Sequence, residues 1–171
     1  MYIRPELRAG AAVMSLFDPT HPFIRHAGRV VPALWPAPYI HGVRTRHVQS
    51  KDIRATIYEP ENPRAVVLWI HGGGLVMGHP RQDVKHLKET AAEVGVTVVA
   101  PHYRFAPEHP YPAALDDVHR AHHWLMTHAG ELGVSPDRIV IGGQSAGGGL
   151  AAALCQRLHD EGGTQPMGQW L

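Results

Sequence analysis

Arg138-Ile139-Val140-Ile141-Gly142-Gly143-Gln144-Ser145-Ala146-Gly147 decides how this chain is read. An apolar segment, Arg138 to Ile141, leads into a G-x-S-x-G pattern, Gly143 to Gly147, and an alanine- and leucine-rich segment, Ala146 to Leu158, leads out. The five-residue pattern recurs by chance, and it acquires mechanical meaning only between a buried strand and a helix. A tight strand-to-helix turn imposes strained dihedrals on the serine. Side chains at the flanking positions would collide, so Gly143 and Gly147 are needed around Gln144 and Ser145. The turn lifts the Ser145 hydroxyl out of the sheet and sets it at a helix N-terminus, where developing negative charge is favoured. Ser145 is the candidate nucleophile, and Gly143, Gln144 and Gly147 form its elbow.

Upstream, His71-Gly72-Gly73-Gly74 follows directly on the apolar run Ala65 to Ile70. Acyl transfer passes through a tetrahedral oxyanion that preorganised N–H donors must hold. Glycines let the backbone approach closely enough to donate, and the amide after the nucleophile supplies another bond. Gly73, Gly74 and Ala146 are therefore the candidate oxyanion hole. A phosphate-cradling loop would need a lysine and a Ser or Thr just after the glycines, whereas Leu75-Val76-Met77 follow.

Working outward, apolar strand-like runs alternate with helical patterns. Val43 to Val48 and Ile53 to Tyr58 alternate as a hairpin-like pair, and Asn62-Pro63 marks a turn. Val84 to Val94 has helical spacing with Gly95 as a C-terminal cap, Val96 to Ala100 is a second buried run, and Ala113 to Leu132 is a long helical segment. Continuous apolar strands alternating with helices predict a mostly parallel sheet covered by helices on both faces, an α/β architecture. Residues 1–40, rich in proline and aromatics, read as helices and loops lying over residues 41–171; Ala9 to Phe17 reads as an amphipathic helix. Phe17, Phe23, Trp35 and Tyr39 suit either an apolar pocket wall or plain packing.

The 171 residues allow one domain with a substantial core. With 16 basic and 15 acidic residues, the net charge of +1 gives no electrostatic reason to expect nucleic acid as a partner. No run approaches the length of a membrane span. The single cysteine, Cys155, excludes an internal disulfide, fits a reducing cytoplasm, and reads as buried and inert among leucines and alanines. Among the 14 histidines, His119, His122 and His123 lie close together. The glutamate of an HExxH zinc motif is absent, so they read as a solvated helix face, and no metal or organic cofactor is expected.

Three segments together resemble the hormone-sensitive-lipase-like (GDXG) carboxylesterases of the α/β-hydrolase fold: HGGGLVMG from His71, HYRFAPEHPYPAALDD from His102 and GGQSAGGGLAA from Gly142. The resemblance implies hydrolysis of short to medium acyl esters through an acyl-enzyme on Ser145, with a small-molecule ester as partner. It makes His71 and Gly72 supports of the oxyanion loop and residues 1–40 part of a cap. It gives the Tyr103–Pro112 loop and Asp116–Asp117 a bracing role on the nucleophile side of the sheet. Three positions depart from the family pattern: Gln144 where aspartate is usual, Leu75 where an aromatic is usual, and Gly149 where asparagine is common. Gln144 changes a hydrogen bond beside the elbow, and Leu75 changes the acyl-pocket wall.

A serine hydroxyl needs a base oriented by a third group, and in this fold the chain order is Ser, then Asp or Glu, then His. After Ser145 only His159, Asp160 and Glu161 could serve. At about 1.5 Å per helical residue, His159 lies roughly 20 Å from Ser145 along the axis, far beyond hydrogen-bond reach. The expectation is an N-terminal piece of a longer enzyme, ending as the next strand begins, with the nucleophile strand unpaired or nearly so on one side. A non-catalytic ligand-binding member of the same fold, or an inactive truncation product, are the alternatives.

Overall fold

Every residue from Val66 to Ile70 is buried, with no polar alternation, because helices cover both faces of the sheet to which this strand belongs. The computed structural model describes residues 4–8, 10, 12 and 18–171. Most of the helix expected over Ala9 to Phe17, including Phe17 itself, lies outside them. The strands are β1 (Val43–Gln49), β2 (Arg54–Pro60), β3 (Val66–Ile70), β4 (Thr97–Pro101), β5 (Ile139–Gly143) and β6 (Gly168–Trp170). From residue 18 onward the α-helices are α1 (Pro22–Val30), α2 (Val84–Thr90), α3 (Ala113–His128) and α4 (Ala146–Asp160).

The strands form one sheet in the order β1-β2-β4-β3-β5-β6. β1–β2 and β2–β4 are antiparallel, and the hairpin pairs Val43 with Pro60 through Gln49 with Arg54. The pairs β4–β3, β3–β5 and β5–β6 are parallel. On one side β5 runs beside β3 from Val66↔Ile139 to Ile70↔Gly143, and on the other it meets the short β6 over Val140, Ile141 and Gly142.

Alternate residues of the central strands feed two cores. Val66, Leu68 and Ile70 pack with Val118 and Leu125 of α3 and Leu150 and Leu154 of α4. Val67 and Trp69 face the other way, onto Val84 and Leu87 of α2 and Ala91 beyond it. A period of two in strands thus divides a continuous apolar run between two helical layers.

Two helix ends differ from the periodicity. The pattern over Val84 to Val94 is α-helical only to Thr90, then widens into a π-turn, Ala91–Gly95, with Gly95 at φ +69°. The segment Ala113 to Leu132 is α-helical to His128 and tightens into a 3₁₀ turn that ends on Gly133 at φ +73°. The expected solvated face of His119, His122 and His123 also needs correction. His122 is buried, on the stripe of Val118 and Leu125 that faces the core, and burial drives its pKa down to about 4. His119 pairs with Glu161 at 3.0 Å, and His123 alone of the three is exposed. Cys155 is buried as expected, and burial raises its pKa. Of the aromatics in residues 1–40, Phe23, Trp35 and Tyr39 are exposed.

Candidate active site

Ser145 sits between β5 and α4 with φ 54° and ψ −118°, a left-handed conformation that side chains rarely adopt. Strain of this kind amounts to about 1–3 kcal/mol and persists only where surroundings over-determine it. Here two bonds do so: the Gln144 amide donates to the Ile70 carbonyl at 3.1 Å, and the Gly147 amide donates to the Gln144 carbonyl at 2.8 Å. The glycines are steric necessities. A β-carbon on Gly143 would stand 2.5 Å from the Gly147 carbonyl carbon, and one on Gly147 would run into the Ile70 carbonyl oxygen. Ser145 is exposed, and its hydroxyl bonds to no described residue.

The loop after β3 lies against this elbow. A β-carbon on Gly72 would be 2.9 Å from the Gln144 carbonyl oxygen and 3.5 Å from Ser145 Cβ. Gly73 (φ +123°) and Gly74 (φ +63°) take conformations that favour glycine, and Leu75 follows at φ 65°. The direction of each amide here follows from the carbonyl in the same peptide plane. The Gly72 carbonyl accepts from His71 Nδ1 at 2.8 Å, and the Gly73 carbonyl accepts from the amides of Val76 and Met77 at 3.2 and 3.1 Å. In a trans peptide N–H and C=O point opposite ways, so fixing these two carbonyls turns the amides of Gly73 and Gly74 outward. Those amides, and that of Ala146 at the start of α4, have no acceptor among the described residues.

His71 is almost wholly buried, at 1% exposure, and stacks on Tyr103 with ring centroids 4.4 Å apart. Burial pulls its pKa down to about 4, so the ring is neutral near pH 7. A carbonyl can only accept, so the proton sits on Nδ1 and is donated to Gly72. The Tyr103 hydroxyl donates to the His71 carbonyl at 2.8 Å. The buried His71 ring thus lies between Tyr103 and the loop, with Nδ1 bonded to the Gly72 carbonyl.

The segment after β4 is tied to α3, and α3 in turn to α4. Arg104 makes paired contacts with Asp117 at 2.9–3.0 Å, and Asp117 also engages Arg120. Asp116 bonds Arg157 of α4 at 2.7 Å. An apolar cavity of about 360 Å³ opens beside the elbow, lined by Leu75, Ala106, Leu115, Ala146 and Leu150 among others. Leu75 thus forms part of its wall. Gln144 is exposed, and its side chain makes no hydrogen bond to a described residue.

Arg29 of α1 joins this region from a distant part of the chain. Its guanidinium donates to the Val76 carbonyl at 2.8 Å and the Ala106 carbonyl at 3.1 Å, and pairs with Glu108 at 2.8 Å. It also lies 5.1 Å from the centre of the Phe105 ring. That bond from Arg29 holds Glu108 down at about 2. Alongside, the Gly78 amide donates to Gly28 at 3.1 Å, and Gly28 leaves room for Met77. One helix therefore ties the glycine loop to the segment after β4. No local signal marks Arg29, because its partners lie 47 to 79 residues away.

His159, Asp160 and Glu161 end α4 or follow it, so the helix carries them away from Ser145 as its rise requires. No group of three or more His, Cys, Asp or Glu among the described residues is arranged to hold a metal ion. No helix among them is long and apolar enough to cross a membrane.

Residues 67–171 match a family described as alpha/beta hydrolase fold. The chain is 44% identical to the esterase LipI of Mycobacterium tuberculosis over 98 residues, 57% of this chain and 31% of LipI. It is 35% identical to bovine (Bos taurus) hormone-sensitive lipase over 115 residues, 67% of this chain and 15% of that protein. Among solved structures, a bacterial heroin esterase superposes with a TM-score of 0.80 at 33% identity, covering 98% of this chain and 56% of the esterase. The chain thus spans about a third or less of these curated relatives and about half of the solved enzyme. With the serine elbow and glycine loop in place, the chain belongs to the hormone-sensitive-lipase-like carboxylesterase family of α/β-hydrolases.

Proposed function

We propose that these residues form the nucleophile-bearing part of a serine carboxylic-ester hydrolase. The observation that carries the reading is the pairing of two fixed carbonyls, Gly72 and Gly73, with two outward amides beside a strained serine. Ser145 Oγ attacks the ester carbonyl carbon, and the carbonyl electron pair moves onto oxygen. The amides of Gly73, Gly74 and Ala146 receive that charge, assisted by the N-terminus of α4. A base takes the Ser145 hydroxyl proton and returns it to the leaving oxygen, so that collapse expels the alcohol and leaves an acyl-serine, which water then hydrolyses. His71 and Gly72 support the loop; Gly143, Gln144 and Gly147 shape the elbow.

The base and its acidic partner are the His and Asp or Glu that the fold places after the nucleophile. No residue from Ala146 to Leu171 fits those roles, so the reading includes further chain beyond Leu171. The cavity of about 360 Å³ lies near the lower end of small-molecule sites, which favours short to medium acyl chains. Residues 1–40 act as part of a cap in this reading, and the lone Cys155 suits the cytoplasm.

The test is covalent labelling of the protein that carries this sequence with a fluorophosphonate, followed by peptide mapping. The label is expected on the peptide holding Ser145, blocked by prior incubation with a short-chain ester analogue. Label on another serine, or none on a folded protein that still binds the analogue, contradicts the proposal. The second outcome would favour a non-catalytic ligand-binding role.

A further inference from the structure

We propose that the concave surface between the β1–β2 hairpin and the residues His79, Arg81 and His102 binds a phosphate-class oxyanion, independently of the ester chemistry at Ser145. A cavity of about 290 Å³ there is lined by His47, Arg54, Thr56, His79, Arg81 and His102, and no carboxylate lines it. The backbone brings these groups together from distant parts of the chain. His47 lies opposite Thr56 in the hairpin, with Nδ1 and Oγ1 3.2 Å apart. His102 follows β4, and its amide donates to the Arg54 carbonyl at 2.8 Å. The rings of His79 and His102 meet edge to face, with centroids 4.9 Å apart.

The donors are not all in use. Arg81 spends two of its donors on the Trp35 carbonyl, at 2.6 and 3.1 Å. The Arg54 guanidinium is exposed and has neither a hydrogen bond nor an ion pair with any described residue. His79 Nδ1 accepts from the Arg81 amide at 3.1 Å, which places the proton of the neutral ring on Nε2, leaving that N–H as a donor. The rings of His79 and His102 both titrate below the ordinary imidazole value. Burial is the main cause for each, and the Arg54 charge is the next. Several cationic or N–H groups therefore face one another with no acid between them, an arrangement that a bound anion relieves. Two guanidiniums repel a metal cation, and they suit the fork geometry of a tetrahedral oxyanion. The cavity is small, which fits inorganic phosphate or a terminal phosphoryl group.

The experiment follows thermal unfolding and calorimetric binding of the protein that carries this sequence, titrated with inorganic phosphate at constant ionic strength. Glycerol phosphate is run in parallel. Phosphate is expected to raise the unfolding midpoint beyond the effect of matched chloride. Affinity should fall at least tenfold in Arg54→Gln, a change at an exposed position that leaves the core untouched, and likewise in His79→Gln. His102→Asp, which places a carboxylate inside the cluster, is expected to abolish binding while the protein stays folded. Equal binding of glycerol phosphate supports a phosphoryl-bearing organic ligand, and binding of inorganic phosphate alone supports a free ion. A phosphate response no larger than that to chloride, or one unchanged in Arg54→Gln and His79→Gln, overturns the proposal.

Discussion

A β-carbon on Gly147 would meet the Ile70 carbonyl oxygen, whereas one on Gly149, a few residues along the same helix, would meet nothing within 4 Å. The two glycines therefore predict opposite outcomes. Gly147→Ala forces backbone against backbone and is expected to destabilise by roughly 3 kcal/mol or more. Gly149→Ala gains helix propensity on an exposed face and is expected to be neutral or to stabilise by about 0.5–1 kcal/mol. Urea unfolding of both variants beside the parent checks this, and a similar loss in both would show that the elbow geometry is misread. Ser145 and the glycines around it could be recognised from sequence because their requirements are local: a strand, a turn, a helix and no room for β-carbons. The orientation of the Gly73 and Gly74 amides could not, since it depends on which groups hold the Gly72 and Gly73 carbonyls. One of those groups, His71 Nδ1, is settled only once the ring is buried against Tyr103.

At the scale of elements, α1 does more than lie over the sheet. Arg29 reaches the Val76 carbonyl in the glycine loop and the Ala106 carbonyl after β4, and no sequence periodicity signals either contact. Arg29→Met is expected to lower kcat for a short p-nitrophenyl ester at least tenfold with a smaller change in KM. Arg29→Lys, which keeps a charge for Glu108 but loses the fork, should recover part of the loss. An unchanged kcat in Arg29→Met would mean that the loop holds its shape without α1. The strands β3, β4 and β5 could be read as buried because burial on both faces demands unbroken apolar runs. The ends of α2 and α3 could not be placed so well. Helical spacing continues through the π-turn at Ala91–Gly95 and the 3₁₀ turn at Ala129–Leu132, and periodicity does not separate these from α-helix. His122 defied its polar character for a similar reason: its neighbours His119 and His123 suggest a wet face, while its phase on α3 points inward.

Across the whole molecule, two buried histidines, His71 and His122, and the half-buried His102 link stability to pH. Burial lowers His71 and His122 to about 4 and His102 to about 3, below the ordinary 6.5 that the unfolded chain would show. A lowered folded pKa means that the unfolded chain takes up protons first as pH falls. Stability is therefore complete above about pH 6.5 and is lost progressively as pH drops toward 4 and below. Thermal midpoints measured from pH 7.5 to 4.5 should fall across this window, and His122→Leu should flatten the fall. A flat midpoint would mean that these rings remain solvated. Sheet order, by contrast, was open in the sequence: alternation implied a parallel core, but only the fold places β2 beside β4 and β6 beside β5. α4 carries His159 away from Ser145 along its axis. The most direct test of the central claim is turnover of p-nitrophenyl butyrate by the protein that carries this sequence, beside its Ser145→Ala variant. Turnover by the parent and a loss of about 10⁴-fold or more in kcat in Ser145→Ala, with the thermal midpoint unchanged or raised, is the predicted result. Undiminished turnover in the folded Ser145→Ala variant would contradict it.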